Sequence, residues 1–282
     1  MRKISGYIAI TLLVLAVGVG AWYYVGFEEE RPEPQWSGGE IRVGYSSEPP
    51  YAFRADTGEV TGDAPEIAKA VLAQCGITRI RWVLMDFSQT IPELLAGHID
   101  MIANGMFITP ERAARIAFSL PYAQVGQGLL TRRGNPAGLH AYADVAARDT
   151  VRVAVLDGAI EQQLLLELGV PRQRLFVVPE PLDGLAAVRQ GRADCLALSA
   201  PTVAWLAATA PQEVEVATPF QQPPALQAIG HCAFGFRPVD RALREAVNRA
   251  LRAYIGTPDH AKAVRPFGFG PETLPDWTSR EQ

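Results

Sequence analysis

An arginine in the first turn of a helix is equipped to hold an anion, and one stretch of this chain places one there. Residues 104–115 read NGMFITPERAAR. Thr109 can cap, Pro110 suits the first helical position, and Arg112 falls in the first turn. Helical Cβ atoms tilt toward the N-terminus, so the Arg112 guanidinium can reach back past Thr109. There it would grip a carboxylate with two parallel hydrogen bonds, and the free N–H groups of the helix start favour the same anion. The plainer alternative is an exposed arginine whose surface contact is worth under about 1 kcal/mol.

Phe107 sets an aromatic ring just ahead of the cap. Two other loops carry matching chemistry: SSEPPYAF brings Glu48 and Tyr51, and MDFSQT brings Phe87. If the three rings converge, they hold a flat cation by cation–π attraction, each contact worth about 0.5–2 kcal/mol. Glu48 would then supply the counter-charge. Rings that follow strands are more often core, and Glu48 alone would read as a solvated loop acid. Farther on, LDGAIEQQ puts Gly158 at a strand-to-helix turn. Its backbone N–H groups could take the other side of a carboxylate, or it is simply a turn glycine.

The elements that must position these groups alternate between strand and helix. IRVGY, RIRWVLM and DMIA read as strands, with APEIAKAVLAQC and QTIPELLAG as helices between them. Asp63 and Glu66 are spaced as a capping box. The theme repeats as VRVAVL, AIEQQLLLELG, RLFVV, LDGLAAVRQG and DCLAL. This alternation implies parallel sheets covered by helices. LLAGHIDMIANG and AVRQGRADCLALS echo each other, with Gly97 and Gly191 as helix C-caps and Asp100 and Asp194 leading into strands. The echo predicts two similar α/β lobes. A strand HCAFGFR and a long amphipathic helix DRALREAVNRALRAYI come next, then a tail. The chain is expected to cross between lobes near residues 125–131 and 226–234. That gives lobe 1 as 39–126 plus 232–277 and lobe 2 as 127–231, with a hinged cleft where α/β proteins bind ligands.

Composition narrows the class of guest. The chain has 282 residues, 48% hydrophobic and 20% charged, with formal net charge −4. It shows no basic stripe, which argues against nucleic acid. The three cysteines, Cys75, Cys195 and Cys232, are far apart and lack zinc spacing; a Cys195–Cys232 bridge stays open. The four histidines are scattered, and no metal or organic cofactor is implied. After MRK, residues 4–27 are uncharged and largely apolar. The segment 1–27 is an export signal or a membrane anchor, and the Glu/Pro-rich 28–38 is a linker. Both readings leave the remainder outside the cytoplasm.

From residue 41 to about 277 the chain resembles the extracytoplasmic solute-binding proteins of ABC transporters, in the polar amino-acid branch. IRVGYSSEPPYAF, TGDAPEIAKAV, AGHIDMIANGMFITPERAARIAFSLPY and GRADCLAL carry the likeness. The resemblance implies a periplasmic-binding-protein-like fold with two α/β lobes and two hinge crossings. It implies that Arg112 binds a ligand carboxylate and that a membrane permease is the partner of a monomeric receptor. Amino-acid binders usually carry Ser or Thr where this chain has Phe107, and an Asp near Ser199. Glu48, Tyr51, Phe87, Phe107 and Arg112 instead match the pattern of ectoine and hydroxyectoine binders. Those proteins carry a polar side chain near Ile160, which here cannot hydrogen-bond, so contacts from that lobe fall to backbone N–H groups. The expected ligand-binding set is Glu48, Tyr51, Phe87, Gly105, Phe107, Arg112, Gly158 and Ile160, with no catalytic residue. The resemblance also admits a polar amino acid as ligand. An enzyme on the same scaffold, such as a dehydratase, would need a general acid or base, and Glu48 and Glu161 are the candidates.

Overall fold

Two five-stranded sheets of the same design carry the chain. The computed structural model describes residues 39–223 and 229–279. In the first sheet the strands run in the order Arg79–Leu84, Glu40–Tyr45, Met101–Ile102, Gly235–Phe236, Ala117–Phe118. The first three are parallel, with Val43 opposite Trp82 and Gly44 opposite Ile102. Gly235–Phe236 is antiparallel to both its neighbours, so Ala117–Phe118 runs with the first three. The second sheet repeats the plan with Leu175–Val178, Val153–Leu156 and Cys195–Ser199 parallel, then Gln127–Arg132 antiparallel to both Cys195–Ser199 and Val214–Val216. The sheets are therefore mixed rather than parallel throughout. The reversed strands, Gln127–Arg132 and Gly235–Phe236, are each the first the chain enters after passing from one sheet to the other.

The helices bury one apolar face each. The helix Asp63–Gln74 turns Ile67, Ala68, Val71 and Leu72 inward with no exposure, and burying each large side chain contributes about 1.5–3 kcal/mol. Its start corrects the expected capping box. Gly62 is the cap, and Asp63 lies inside the helix, almost fully buried. The Asp63 and Ala64 N–H groups donate to the carbonyls of Pro50 and Tyr51. This satisfies the orphan donors of the first turn and ties the Tyr51 loop to the helix. Glu66 instead accepts from Thr61 and pairs with Lys69.

The repeated Asp has the same job in both sheets. Asp100 N–H donates to the Arg42 carbonyl while its carboxylate takes the Arg42 N–H; Asp194 does likewise with Arg152. Each Asp thus clamps the start of its own strand to the neighbouring one. Gly97 and Gly191 adopt positive φ just past their helices, as C-caps do.

Between the sheets, Ala123–Val125 pairs antiparallel with Gly230–Cys232. The expected first crossing is shorter than its sequence range, because residues 127–132 already belong to the second sheet. HCAFGFR is two short strands, not one. Gly230–Cys232 stays in the hinge ladder and Gly235–Phe236 enters the first sheet. Three helices have no counterpart in the sequence reading: Tyr142–Ala146, Ala200–Thr209 and Pro258–Val264. All three cysteines are free. Among the described residues no helix is long and apolar enough to cross a membrane. The expected signal or anchor and its linker, residues 1–27 and 28–38, lie outside the described residues, as does part of the second crossing.

Candidate ligand-binding site

A cavity at the junction of the two sheets is lined by Glu48, Tyr51, Phe87, Gly105, Phe107, Arg112, Ala159, Ile160, Glu161 and Ser199. The loop after the first strand folds tightly on itself. The Tyr51 N–H donates to the Glu48 carbonyl, and the Glu48 N–H donates to the Ala52 carbonyl. That turn aims both side chains at the cavity. The Tyr51 ring lies flat against Gly105, where a Cβ would come within 2.5 Å of the ring. With φ of +75° as well, only glycine fits there easily. Phe107 is likewise backed by Gly230 of the hinge ladder, where a Cβ would approach the ring to 2.2 Å.

Arg112 behaves as its helix signal predicts at the backbone. Its N–H donates to the Thr109 hydroxyl at 3.2 Å, and Pro110 occupies the first helical position. The guanidinium turns back to donate to the Phe107 carbonyl at 2.9 Å and to the Gly158 carbonyl at 3.0 Å. It also stacks over the Phe87 ring, 5.4 Å from its centroid. The two hydrogen bonds use two of its five N–H donors. Gly158 therefore corrects an expectation. It does not line the cavity, its carbonyl rather than its amide meets Arg112, and its N–H donates to the Gln162 side chain. Ile160 does line the cavity, as an apolar wall.

Two hydroxyl residues of the second lobe, Ser199 and Thr202, are absent from the expected ligand-binding set, and Glu161 enters only as a candidate general acid or base. The Tyr51 hydroxyl donates to Ser199, Ser199 to Thr202, and Thr202 to the Glu48 carboxylate, at 3.1, 3.1 and 3.0 Å. This chain of buried hydroxyls links the two sheets. A strand end followed by Ser-Ala-Pro-Thr is a helix-start signal that could have found Ser199 and Thr202. Glu161 sits in the first turn of Ile160–Glu167 and is 3% exposed. Nothing in the sequence marks it as buried.

The electrostatics arise from two buried carboxylates lining one small cavity. Burial, with the like charge of Glu161, pushes the Glu48 carboxyl up to about 8 against the opposing pull of Thr202 and Arg112. Burial pushes Glu161 up to about 7, opposed by its own backbone N–H and by Arg112. Burial also lowers the Arg112 guanidinium, offset by Glu161, Glu111 and Glu48. The site can pair a carboxylate on Arg112 and a flat cation between rings and acids.

Residues 41–269 match the family model of bacterial extracellular solute-binding proteins, family 3. The chain is 35% identical over 250 residues to a probable amino-acid ABC transporter periplasmic-binding protein, y4tE, of Sinorhizobium fredii, covering 86% of this chain and 82% of that one. It is similar to a crystal structure of EhuB in complex with hydroxyectoine, with TM-score 0.78, 31% identity, and 84% and 93% of the two chains covered. It is also similar to the ancestral amino-acid-binding protein AncCDT-1, described as a precursor of cyclohexadienyl dehydratase, with TM-score 0.71, 27% identity, and 82% and 96% covered. The chain belongs to the bacterial extracellular solute-binding proteins, family 3.

Proposed function

We propose that this protein is the extracytoplasmic receptor of an ABC importer and that it encloses a small zwitterion, ectoine or hydroxyectoine. One observation carries the reading: Arg112, Glu48 and the rings of Tyr51, Phe87 and Phe107 all line one cavity where the two sheets meet. Arg112 takes the ligand's carboxylate with N–H donors left over from Phe107 and Gly158. The rings sandwich a delocalised cation, and Glu48 pairs with its N–H groups. The likeness to EhuB, crystallised with hydroxyectoine, supports the same guest. The free space is narrow, about 20 Å³, close to the volume one water needs. A ring-sized guest therefore enters only when the lobes part about the hinge ladder of Ala123–Val125 and Gly230–Cys232. Ligand shifts that opening equilibrium by its greater affinity for the closed form, and the closed form is what a permease would meet.

Isothermal calorimetry with ectoine, hydroxyectoine, arginine, glutamine and histidine tests the assignment. Saturable heat with the two cyclic solutes and little with the amino acids is expected. Saturable binding of an amino acid with none of the cyclic solutes overturns it.

A second reading rests on Glu48 and Glu161. Two buried carboxyls held above the usual range are the equipment of a general acid, and AncCDT-1 lies on a path to an enzyme. Turnover of a cyclohexadienyl acid, absent in the Glu161→Gln variant, would favour that reading.

A further inference from the structure

Among the described residues that line the cavity, the charged ones are Glu48, Glu161 and Arg112. Glu48 stands on a loop of the first sheet and Glu161 on a helix of the second, so the acids face the cavity from opposite lobes. Their surroundings differ. Glu48 accepts a hydrogen bond from Thr202. Glu161 meets its own backbone N–H, and no side chain donates to it among the described residues. Glu161 is thus a buried carboxylate with capacity left for an N–H group from a guest.

Charge arithmetic then constrains the guest. Two carboxylates and one guanidinium leave one negative charge. A zwitterion brings a carboxylate that neutralises Arg112 and a cation that neutralises one acid. The other acid remains buried beside it, where an unpaired ion is costly. A proton removes that charge.

Resting on the zwitterion reading above, we propose that Glu48 and Glu161 form a carboxylate pair, one acid from each lobe, that clasps the ligand's cationic group and shares one proton in the closed complex. A neutral zwitterion therefore binds together with a proton drawn from solvent, whereas a guest of net charge +1 binds without one. Glu161 becomes a specificity-determining contact that senses the net charge of the guest. The groups that face the pair are few. Arg112 is felt by both acids, Tyr142 feels Glu161, and Tyr51 and Cys232 feel Glu48. The tyrosine and cysteine groups are pushed up by burial and stay neutral over the range concerned, so the acids titrate as a coupled pair. The raised values of both carboxyls belong to the closed cavity and agree with one of them holding a proton there near neutral pH; when the lobes part both acids meet solvent and ionise, so closing on the ligand draws the proton in.

Calorimetry of the full chain with hydroxyectoine at pH 7.5, run in phosphate and in Tris, counts the protons taken up. Uptake of at least half a proton per ligand, with a Kd that rises by up to about tenfold per pH unit above pH 6, supports the pair. Glu161→Gln should bind with no uptake and a flat pH profile. Hydroxyectoine binding whose heat is the same in both buffers overturns the proton-sharing pair but leaves the receptor assignment standing. Uptake that persists undiminished in a folded Glu161→Gln variant also overturns it. Absence of any heat with hydroxyectoine or ectoine removes the zwitterion reading and this inference with it.

Discussion

The two lobes share a scaffold and divide the chemistry. Each has four strands running one way, one running against them and an Asp that clamps two strand starts. Yet the first contributes the guanidinium, three rings and Glu48, while the second contributes hydroxyls, an apolar wall and Glu161. The difference lies at the strand ends. In the first lobe Glu48, Tyr51, Phe87, Gly105 and Phe107 sit on loops and short turns that leave those ends, with Arg112 on the short helix Pro110–Ala113, so side chains can converge. In the second lobe they stand at the starts of two helices, Ile160–Glu167 and Ala200–Thr209. On the proposed reading, one lobe grips the guest and the other covers it and sets the charge.

Substitutions can break that division of labour. The largest effect is expected at Arg112→Ala. Losing charge-assisted hydrogen bonds worth about 1.5–3 kcal/mol each should raise the Kd by a hundredfold or more, with circular dichroism unchanged, as read by calorimetry. Acid sensitivity should likewise be a property of the first lobe. His260, on the helix Pro258–Val264 that packs beside Asp63–Gln74, is held neutral by burial down to about pH 4. Its Nδ1 accepts the Gly256 N–H. The unfolded chain protonates this group below about pH 6.5, so stability falls as pH drops from 6.5 toward 4, by up to about 3 kcal/mol. Urea midpoints at pH 7 and 4.5 should converge in His260→Gln.

The paired aspartates offer a finer contrast. Asp100 takes three hydrogen bonds from Arg42 and one from Arg237. Burial would raise its carboxyl, but these donors outweigh it and hold it low. Asp194 takes the Arg152 N–H and has Arg132 at 3.6 Å. Asp100→Ala should cost about 2 kcal/mol and Asp194→Ala about 1 kcal/mol by chemical denaturation. The smallest effect on binding is expected at Thr202→Val, which removes its hydrogen bond to Glu48 and the acceptor of the Ser199 hydroxyl. It should weaken binding about fivefold and lower stability by about 1 kcal/mol.

Legibility in the sequence splits along the same division. The first lobe's three parallel strands at Glu40–Tyr45, Arg79–Leu84 and Met101–Ile102, the Thr109-Pro110 helix start and the five side chains that line its half of the cavity could be read from local signals. Those signals are short-range: a cap, a strand end, a ring beside a turn. The second lobe was harder. Ser199 and Thr202 act through partners 148 and 154 residues away in sequence, and no local pattern encodes such pairing. Gly158 was misread because its peptide orientation depends on the Gln162 and Arg112 groups that meet it. The missed helix Ala200–Thr209 is apolar on most sides, so its periodicity is faint. The capping box failed because loop carbonyls, not side chains, satisfied the first turn of Asp63–Gln74.

The central claim is that the first lobe grips both ends of a zwitterion while the second closes over it. A crystal structure of the protein soaked with hydroxyectoine tests this most directly. The account predicts the carboxylate on Arg112 and the ring of the guest between Tyr51, Phe87 and Phe107, with its N–H groups on Glu48. A guest seated elsewhere, or an Arg112 still bonded only to Phe107 and Gly158 beside a bound ligand, would contradict it.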